Sequence, residues 1–162
     1  MKNLFISVLL FLGIWLLLNA SLSPVVIVSG LIVAVIIAVF FSVKHPVFGD
    51  VKLSPRAMVY FVIYIFVFAM ELIKANFDVA RRVVSPSLPI NPGIVEVKTK
   101  LKSKIGRLAL ANSITLTPGT LTVDIKDDSL FIHWIDVTST DIEGATKKIV
   151  GNFEKYLEVI YG

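Results

Sequence analysis

The sequence predicts a membrane protein in two parts: an α-helical membrane region of three short transmembrane helices, then a small α+β soluble domain. Two observations predict this division. Hydrophobic residues make up 56% of the 162 residues, which is more than soluble globular domains ordinarily contain. They are concentrated in long runs within residues 1–84, whereas residues 93–162 alternate between polar and apolar positions.

Three apolar runs define the membrane region. Leu4–Leu22 and Val25–Val43 contain no charged residue, and Ala57–Ile73 contains one, Glu71. Runs of about 17–19 residues lie near the lower limit for a helix that crosses the hydrocarbon core. The sequence therefore predicts membrane helices over about 4–22, 25–43 and 56–84, the third continuing past the membrane.

Serine–proline pairs mark the ends of these helices. Ser23-Pro24 and Ser54-Pro55 place a capping hydroxyl before a proline at the first helical position. Ser85-Pro86 stops the third helix. The first two helices are then joined by a very short turn, and so short a hairpin would insert imperfectly or thin the bilayer around it.

A cleaved signal peptide over residues 1–20 is the alternative interpretation of the first run. Leu18-Asn19-Ala20 would supply the small-residue cleavage site. The basic n-region, however, consists of Lys2 alone, and a second apolar run follows almost at once. The tight helical hairpin is therefore the favoured interpretation.

The distribution of basic residues bears on orientation. Three crossings place three basic residues before the third helix on one side (Lys44, Lys52, Arg56) and three after it on the other (Lys74, Arg81, Arg82). On these six residues the positive-inside rule therefore favours neither orientation of the chain. Residues 76–110 carry seven basic residues against two acidic ones, and this excess favours a cytoplasmic C-terminal domain.

The soluble domain over 93–162 is predicted to be a β-α-β-β-α two-layer sandwich. A first strand alternates, with four residues on the half-buried face (Val95, Val97, Thr99, Leu101) and charged residues on the other. Ser103 caps a helix through Asn112 with three residues facing inward (Ile105, Leu108, Ala109). Leu121, Val123 and Ile125 form a second strand. Asp127-Asp128 turns the chain into a third strand.

A capping box at Thr140–Glu143 opens the last predicted helix. Its apolar residues recur every three or four positions (Ile142, Ala145, Ile149, Phe153, Leu157, Ile160). A domain of about 70 residues has a small core, so packing against the membrane region or a partner would stabilise it.

Residues with catalytic or metal-binding chemistry are scarce. The chain has no cysteine, and its two histidines, His45 and His133, lack ligand spacing. It contains no glycine-rich phosphate loop and no nucleophile elbow. We expect no cofactor, no metal and no enzymatic activity. The acidic half of the soluble domain also argues against nucleic-acid binding.

Three charged residues remain candidates near the membrane. Glu71 is the one ionisable residue within an apolar run, which makes it a candidate intramembrane acid. Its alternative role is an ion pair with Lys74, three residues further on. Arg81 and Arg82 would lie at headgroup level, where they contact anionic lipid or act as plain topological anchors.

One polar segment stands out, "ANSITLTPGTLTVDI" at residues 111–125. In Thr117-Pro118-Gly119-Thr120, proline fixes φ at the first central position of a type II turn, and glycine permits the positive φ at the second. The threonine hydroxyls can bond the backbone of the turn. On propensity alone this is a corner leading from the helix into the strand at Leu121.

The same segment, followed by "DDSLFIHWIDV", resembles the signature of the E subunit of the Mrp- or Mnh-type multisubunit monovalent cation/proton antiporters. The resemblance extends to the three apolar runs and the serine–proline pairs. It implies an accessory subunit in the plasma membrane of a bacterium, whose partners are other antiporter subunits and membrane lipids. The main ion path would lie in other, larger subunits. No ion-binding residue of the family carries over to this chain.

The resemblance also suggests that the turn at Thr117, Pro118, Gly119 and Thr120 is a docking element that contacts the rest of the complex. Two other classes stay open. The chain could be a stand-alone membrane-tethered binding module, or an enzyme that acts on lipid at the interface.

Overall fold

The computed structural model describes residues 2–44, 52 and 54–162, and the chain divides into two compact units, Met1–Asp50 and Val51–Gly162. The third apolar run belongs to the second unit, together with the α+β part. The sequence groups this run with the first two by its composition, as a membrane region over 1–84. His45 lies outside the described residues.

The first unit is the predicted helical hairpin. Its helices are α1 (Lys2–Asn19) and α2 (Pro24–Lys44), and the Ser23 hydroxyl accepts a hydrogen bond from the Val26 N–H at 3.4 Å. The Trp15 indole N–H donates to the Val26 carbonyl at 3.1 Å. Small side chains are buried in this unit (Ser7, Ala34, Ala38). Such residues allow two helices to approach closely.

The second unit begins with the long helix α3 (Pro55–Val84). The predicted caps are confirmed, since the Ser54 hydroxyl accepts from the Ala57 N–H at 3.1 Å and the helix ends at Ser85. Among the described residues, α3 alone is long and apolar enough to cross a membrane by length and composition. The apolar stretches of α1 and α2 are shorter, so this criterion supports one of the three predicted membrane helices.

A three-stranded antiparallel sheet follows, made of β1 (Gly93–Lys98), β2 (Thr120–Lys126) and β3 (Ser129–Trp134) in the order β1-β3-β2. The predicted alternation along β2 is interrupted by a bulge between Thr122 and Asp124. Leu121 is opposite His133 whereas Ile125 is opposite Leu130, so these two apolar residues lie on opposite faces of the sheet.

The helices of the α+β part are α4 (Lys104–Leu116), α5 (Ile142–Ile149) and α6 (Gly151–Tyr161). The single last helix that the periodicity predicted is therefore two helices, and the order is β-α-β-β-α-α. The break falls at Val150 and Gly151, where glycine weakens the helix. The predicted cap at Thr140 is also wrong, because Asp141 caps α5 by accepting from the Gly144 N–H at 2.7 Å.

The core of the second unit lies between the sheet and its helices. All four residues predicted to face inward from β1 and the segment after it are buried (Val95, Val97, Thr99, Leu101). On α4 the prediction was wrong for Leu108, which is 55% exposed. Helix α4 also runs a turn further than predicted, to Leu116, and its buried apolar side chains are Leu110, Ala111 and Ile114. Ile142 of α5 is 44% exposed.

Helix α3 packs against this core through aromatic side chains. Tyr60, Tyr64 and Phe68 are half-buried against it. The Tyr64 and Ser113 hydroxyls are hydrogen-bonded to each other. The ring centroids of Phe68 and Phe153 are 6.3 Å apart. The α+β part therefore lies along one side of α3.

Candidate functional site

The turn singled out in the sequence has the predicted geometry. Gly119 adopts φ 91°, and the Thr120 N–H donates to the Thr117 carbonyl at 3.3 Å. These are the features of a type II turn with glycine at its second central position. The turn connects the end of α4 to the start of β2, as predicted for a corner.

The threonine hydroxyls of this segment cap the C-terminal end of α4. Thr117 Oγ1 donates to the Ser113 carbonyl at 2.7 Å, and Thr120 Oγ1 donates to the Ile114 carbonyl at 2.6 Å. The last four carbonyls of a helix lack partners within the helix. The polar composition of the segment is thus explained by local hydrogen bonding and requires no catalytic role.

The other side of the turn faces the rest of the second unit. The Gly119 carbonyl accepts from the Ile135 N–H at 2.8 Å. A Cβ atom added at Gly119 would lie 3.0 Å from Ile135 Cγ2 and 3.7 Å from Val79 Cγ2 of α3. A larger residue is therefore disfavoured here both by the positive φ and by the closeness of its neighbours.

A cleft of about 190 Å³ separates the turn from α3, and it collects most of the candidate residues from the sequence. Glu71 and Arg82 line one wall, and all four turn residues line the opposite wall. Sequence reasoning missed three other charged residues that line it (Asp78, Asp136, Lys148). The spacing of Asp78 four residues before Arg82 on α3 could have indicated that pair, but Asp136 and Lys148 come from other elements and could not be found from spacing.

Arg82 links α3 to the segment after β3. Its guanidinium contacts Asp78 Oδ2 at 2.8 Å and Asp136 Oδ2 at 2.9 Å. It also donates to the Pro89 carbonyl at 2.6 Å. The Arg82 side chain is only 18% exposed. It is therefore engaged within the protein, whereas its neighbour Arg81 is exposed.

The remaining charged side chains of the cleft, Glu71 and Lys148, also have partners within the chain. The Glu71 carboxylate meets the Lys74 ammonium at 2.8 Å, which is the pair that their spacing predicts. Lys148 Nζ donates to the Thr138 carbonyl at 3.1 Å and to its hydroxyl at 2.9 Å. Within the described ranges, no three His, Cys, Asp or Glu side chains are grouped so that they could hold a metal ion. The arrangement suits mechanical attachment of α3 to the sheet.

A second charged cluster lies at the end of β1, around Lys98. Lys98 Nζ contacts Asp128 Oδ1 at 3.1 Å and the Ser129 hydroxyl at 2.6 Å. The hydrogen bond from Lys98 lowers the pKa of the Asp128 carboxyl. The same bond raises the pKa of Lys98. This lysine is therefore engaged with the β2–β3 hairpin, whereas Lys100 and Lys102 are exposed.

Comparison with known proteins places these features in a family. The family model described as "Na+/H+ ion antiporter subunit" matches residues 8–160. The chain is 50% identical over 76 residues to the E subunit of the Na(+)/H(+) antiporter of Alkalihalophilus pseudofirmus, covering 46% of this chain and 48% of that protein. It is 43% identical over 97 residues to the E subunit of the Bacillus subtilis antiporter, covering 59% and 60%. The matches thus span about half of these curated relatives' length.

One solved structure is similar over the whole chain. It is a chain in the structure of the membrane-bound sulfane sulfur reductase, an archaeal respiratory membrane complex. The identity is 45%, the TM-score is 0.87, and the match covers 99% of this chain and 100% of the other.

Proposed function

Because the chain belongs to the E-subunit family of the Na+/H+ antiporters, we propose that it is an accessory membrane subunit of a multisubunit monovalent cation/proton antiporter. In this role it supports assembly and full exchange of Na+ or K+ for protons, while the main ion path runs through other subunits. The family match over residues 8–160 is the observation that carries the proposal.

The distribution of ionisable groups supports the accessory role. Residues 3–43 contain no Asp, Glu, Lys or Arg. Ion and proton paths through membranes depend on such groups. Glu71 is the one acid within an apolar run, and Lys74 already neutralises it. A hairpin without charges and a single paired acid do not make a continuous path.

Exchange measurements in inverted membrane vesicles test this proposal. A strain that lacks the gene should lose most Na+- or K+-induced dissipation of the pH gradient, and the wild-type chain should restore it. Glu71→Gln should leave exchange close to wild type, as should the matched change at the other end of the ion pair, Lys74→Gln. If Glu71→Gln abolishes exchange in a fully assembled complex while Lys74→Gln does not, Glu71 belongs to an ion path and the accessory role is wrong.

A second assembly is favoured by one specific observation. The structure similar over 99% of the chain is a respiratory membrane complex. The chain would then be the corresponding subunit of a respiratory membrane complex. Purification of the native complex in mild detergent, with identification of every co-purifying protein, separates the two. Redox proteins in stoichiometric amounts would indicate the respiratory complex, and a stable monomer would indicate a stand-alone membrane-tethered module.

A docking role for the turn belongs to the same proposal. Pro118 and Thr117 are half-buried, so part of each is open to a neighbouring protein of the complex. The hydrogen bonds to α4 hold the turn in one conformation.

Arg81, which is exposed on α3, is proposed as the headgroup contact. The domain is proposed to be cytoplasmic.

A further inference from the structure

Helix α3 has two faces of different character. A stripe of half-buried residues at helical spacing faces the α+β part of the same unit (Tyr60, Tyr64, Phe68, Val79, Arg82). The opposite face is open, and a row of large apolar side chains on it is between 51% and 74% exposed (Met58, Val62, Phe66, Met70, Ile73, Phe77).

Contacts with the α+β part occur near both ends of α3 and between them, on its half-buried face. Just before α3 begins, the Lys52 N–H donates to the Ile160 carbonyl of α6 at 3.0 Å. Near its other end, Arg82 pairs with Asp136 at 2.9 Å. From Tyr60 to Arg82 the helix rises by roughly 33 Å, which exceeds the roughly 30 Å of a hydrocarbon core. No stretch of α3 long enough to cross a bilayer is free of the α+β part.

The part that covers α3 is highly charged. Residues 93–162 contain nine basic and nine acidic residues. Lys155, on the helix α6 that packs against α3, is exposed. If α3 crossed the bilayer, this flank would be carried into the hydrocarbon, at about 2.5–3.5 kcal/mol for each charge at the centre. The length and composition of α3 permit a crossing, but what is packed along it opposes one.

The positions of the basic residues along the chain also argue against a crossing by α3. All sixteen Lys and Arg residues are either Lys2 or lie at Lys44 and beyond, and the turn between α1 and α2 contains none. Three crossings would put Lys44, Lys52 and Arg56 on the side opposite the domain. If α3 does not cross, the positive-inside rule is met by every basic residue in the chain.

We infer that α3 lies along the membrane surface, with its open face in the lipid and the α+β part on its water side. Basic residues flank the open apolar face, with Arg56 at its start and Lys74 and Arg81 towards its end. Interfacial helices bury their apolar face by about 5–10 Å while such side chains reach the headgroups.

Depth measurements on spin labels test this inference in the assembled complex, reconstituted into liposomes. The chain has no cysteine, so single cysteines at Met58, Phe66 and Phe77 can be labelled one at a time. All three positions are exposed, so the labels should be tolerated. Collision rates with oxygen and with a water-soluble nickel chelate then report the depth of each label.

We expect all three labels at a similar shallow depth of about 5–10 Å. Exposed Ile36 on α2 serves as the deep control, and exposed Asp127 in the β2–β3 turn serves as the aqueous control. Met58 and Phe77 are roughly 28 Å apart along the helix, so a crossing helix would show the deepest label at Phe66 and shallow labels at both ends. That profile would overturn the inference. Labels that neither reagent reaches would also overturn it, because another protein of the complex would then cover the open face.

Discussion

The α1–α2 hairpin and helix α3 look alike as sequences, since both are long apolar runs. They differ in the kind of side chain that each of them buries. In the hairpin the buried side chains are small, such as Ala34 and Ala38, and the remaining surface is apolar. On α3 the covered side carries aromatic and charged residues that pack against a sheet and its helices. An apolar run therefore defines only one face of a helix, and the residues on its other face decide where the helix lies.

The largest effect is expected where α3 packs on the core. Phe68→Ala should destabilise the second unit by somewhat less than the roughly 3–5 kcal/mol of a fully buried phenylalanine, because Phe68 is half-buried. Its matched control is Phe66→Ala on the open face, where the side chain is 72% exposed. Thermal unfolding of the purified complex, monitored by proteolysis of the α+β part, should distinguish the two variants. Equal effects would show that the two faces of α3 do not differ.

The hairpin depends on close contact between its helices. A Cβ at Gly30 would collide with the Trp15 ring, whereas a Cβ at Gly13 would meet no atom within 4 Å. Gly30→Ala should therefore cost about 1–3 kcal/mol through overpacking, and Gly13→Ala should be tolerated. The amount of chain retained in the membrane measures the difference. If both variants accumulate normally, tight packing does not hold the hairpin together.

Arg82 tests whether α3 is fastened to the α+β part by charge. Arg82→Gln should cost about 1–3 kcal/mol, because hydrogen bonds to charged groups are lost and Asp136 is left without its partner. Arg81→Gln should leave stability unchanged, since that side chain is exposed. Hydrogen exchange of the amides around Asp136 provides the readout. The opposite ranking would indicate that Arg81 holds the structure together and that Arg82 does not.

Smaller effects are expected at the turn. Thr117→Val removes the hydroxyl that bonds to the Ser113 carbonyl and should cost about 0.5–1.5 kcal/mol. Pro118→Gly should cost about 0.4–1 kcal/mol through the entropy of the unfolded state. If the turn is a docking element, exchange should fall more than the amount of this chain in the membrane does. If both variants keep wild-type exchange and assembly, the turn only connects α4 to β2 and is not a docking element.

The smallest effect concerns the exposed Lys98–Asp128 pair. Because the pKa of Asp128 is lowered in the folded protein, its contribution is present above the usual carboxyl pKa and is lost as the pH falls through the folded value. The raised pKa of Lys98 adds a contribution that is lost as the pH rises through it. Stability should therefore be nearly constant at neutral pH and decrease slightly at both extremes. Asp128→Asn should remove the part of the acid-side decrease that belongs to this pair, measured by thermal unfolding from about pH 3 to 7.

Local signals in the sequence predicted much of the fold. Ser54 and Ser103 cap their helices as the sequence indicated. The type II turn at Pro118-Gly119 was also predictable, because its geometry depends on four adjacent residues. Contacts between residues that are distant in the sequence could not be predicted, such as Arg82 with Asp136 and Tyr64 with Ser113. Without those contacts, α3 could be interpreted only as a third membrane helix, and the cleft beside it could not be foreseen.

The location of α3 is tested most directly by the sidedness of the chain. One variant carries a cysteine-bearing tag ahead of Met1, and another carries a cysteine at exposed Asp127 in the β2–β3 turn. Both are expressed with their partner subunits and treated with a membrane-impermeant thiol reagent. If α3 stays at the surface, both cysteines should be protected in intact cells and labelled in inside-out vesicles. Labelling of the two cysteines from opposite sides would mean that α3 crosses the bilayer, and would contradict the account.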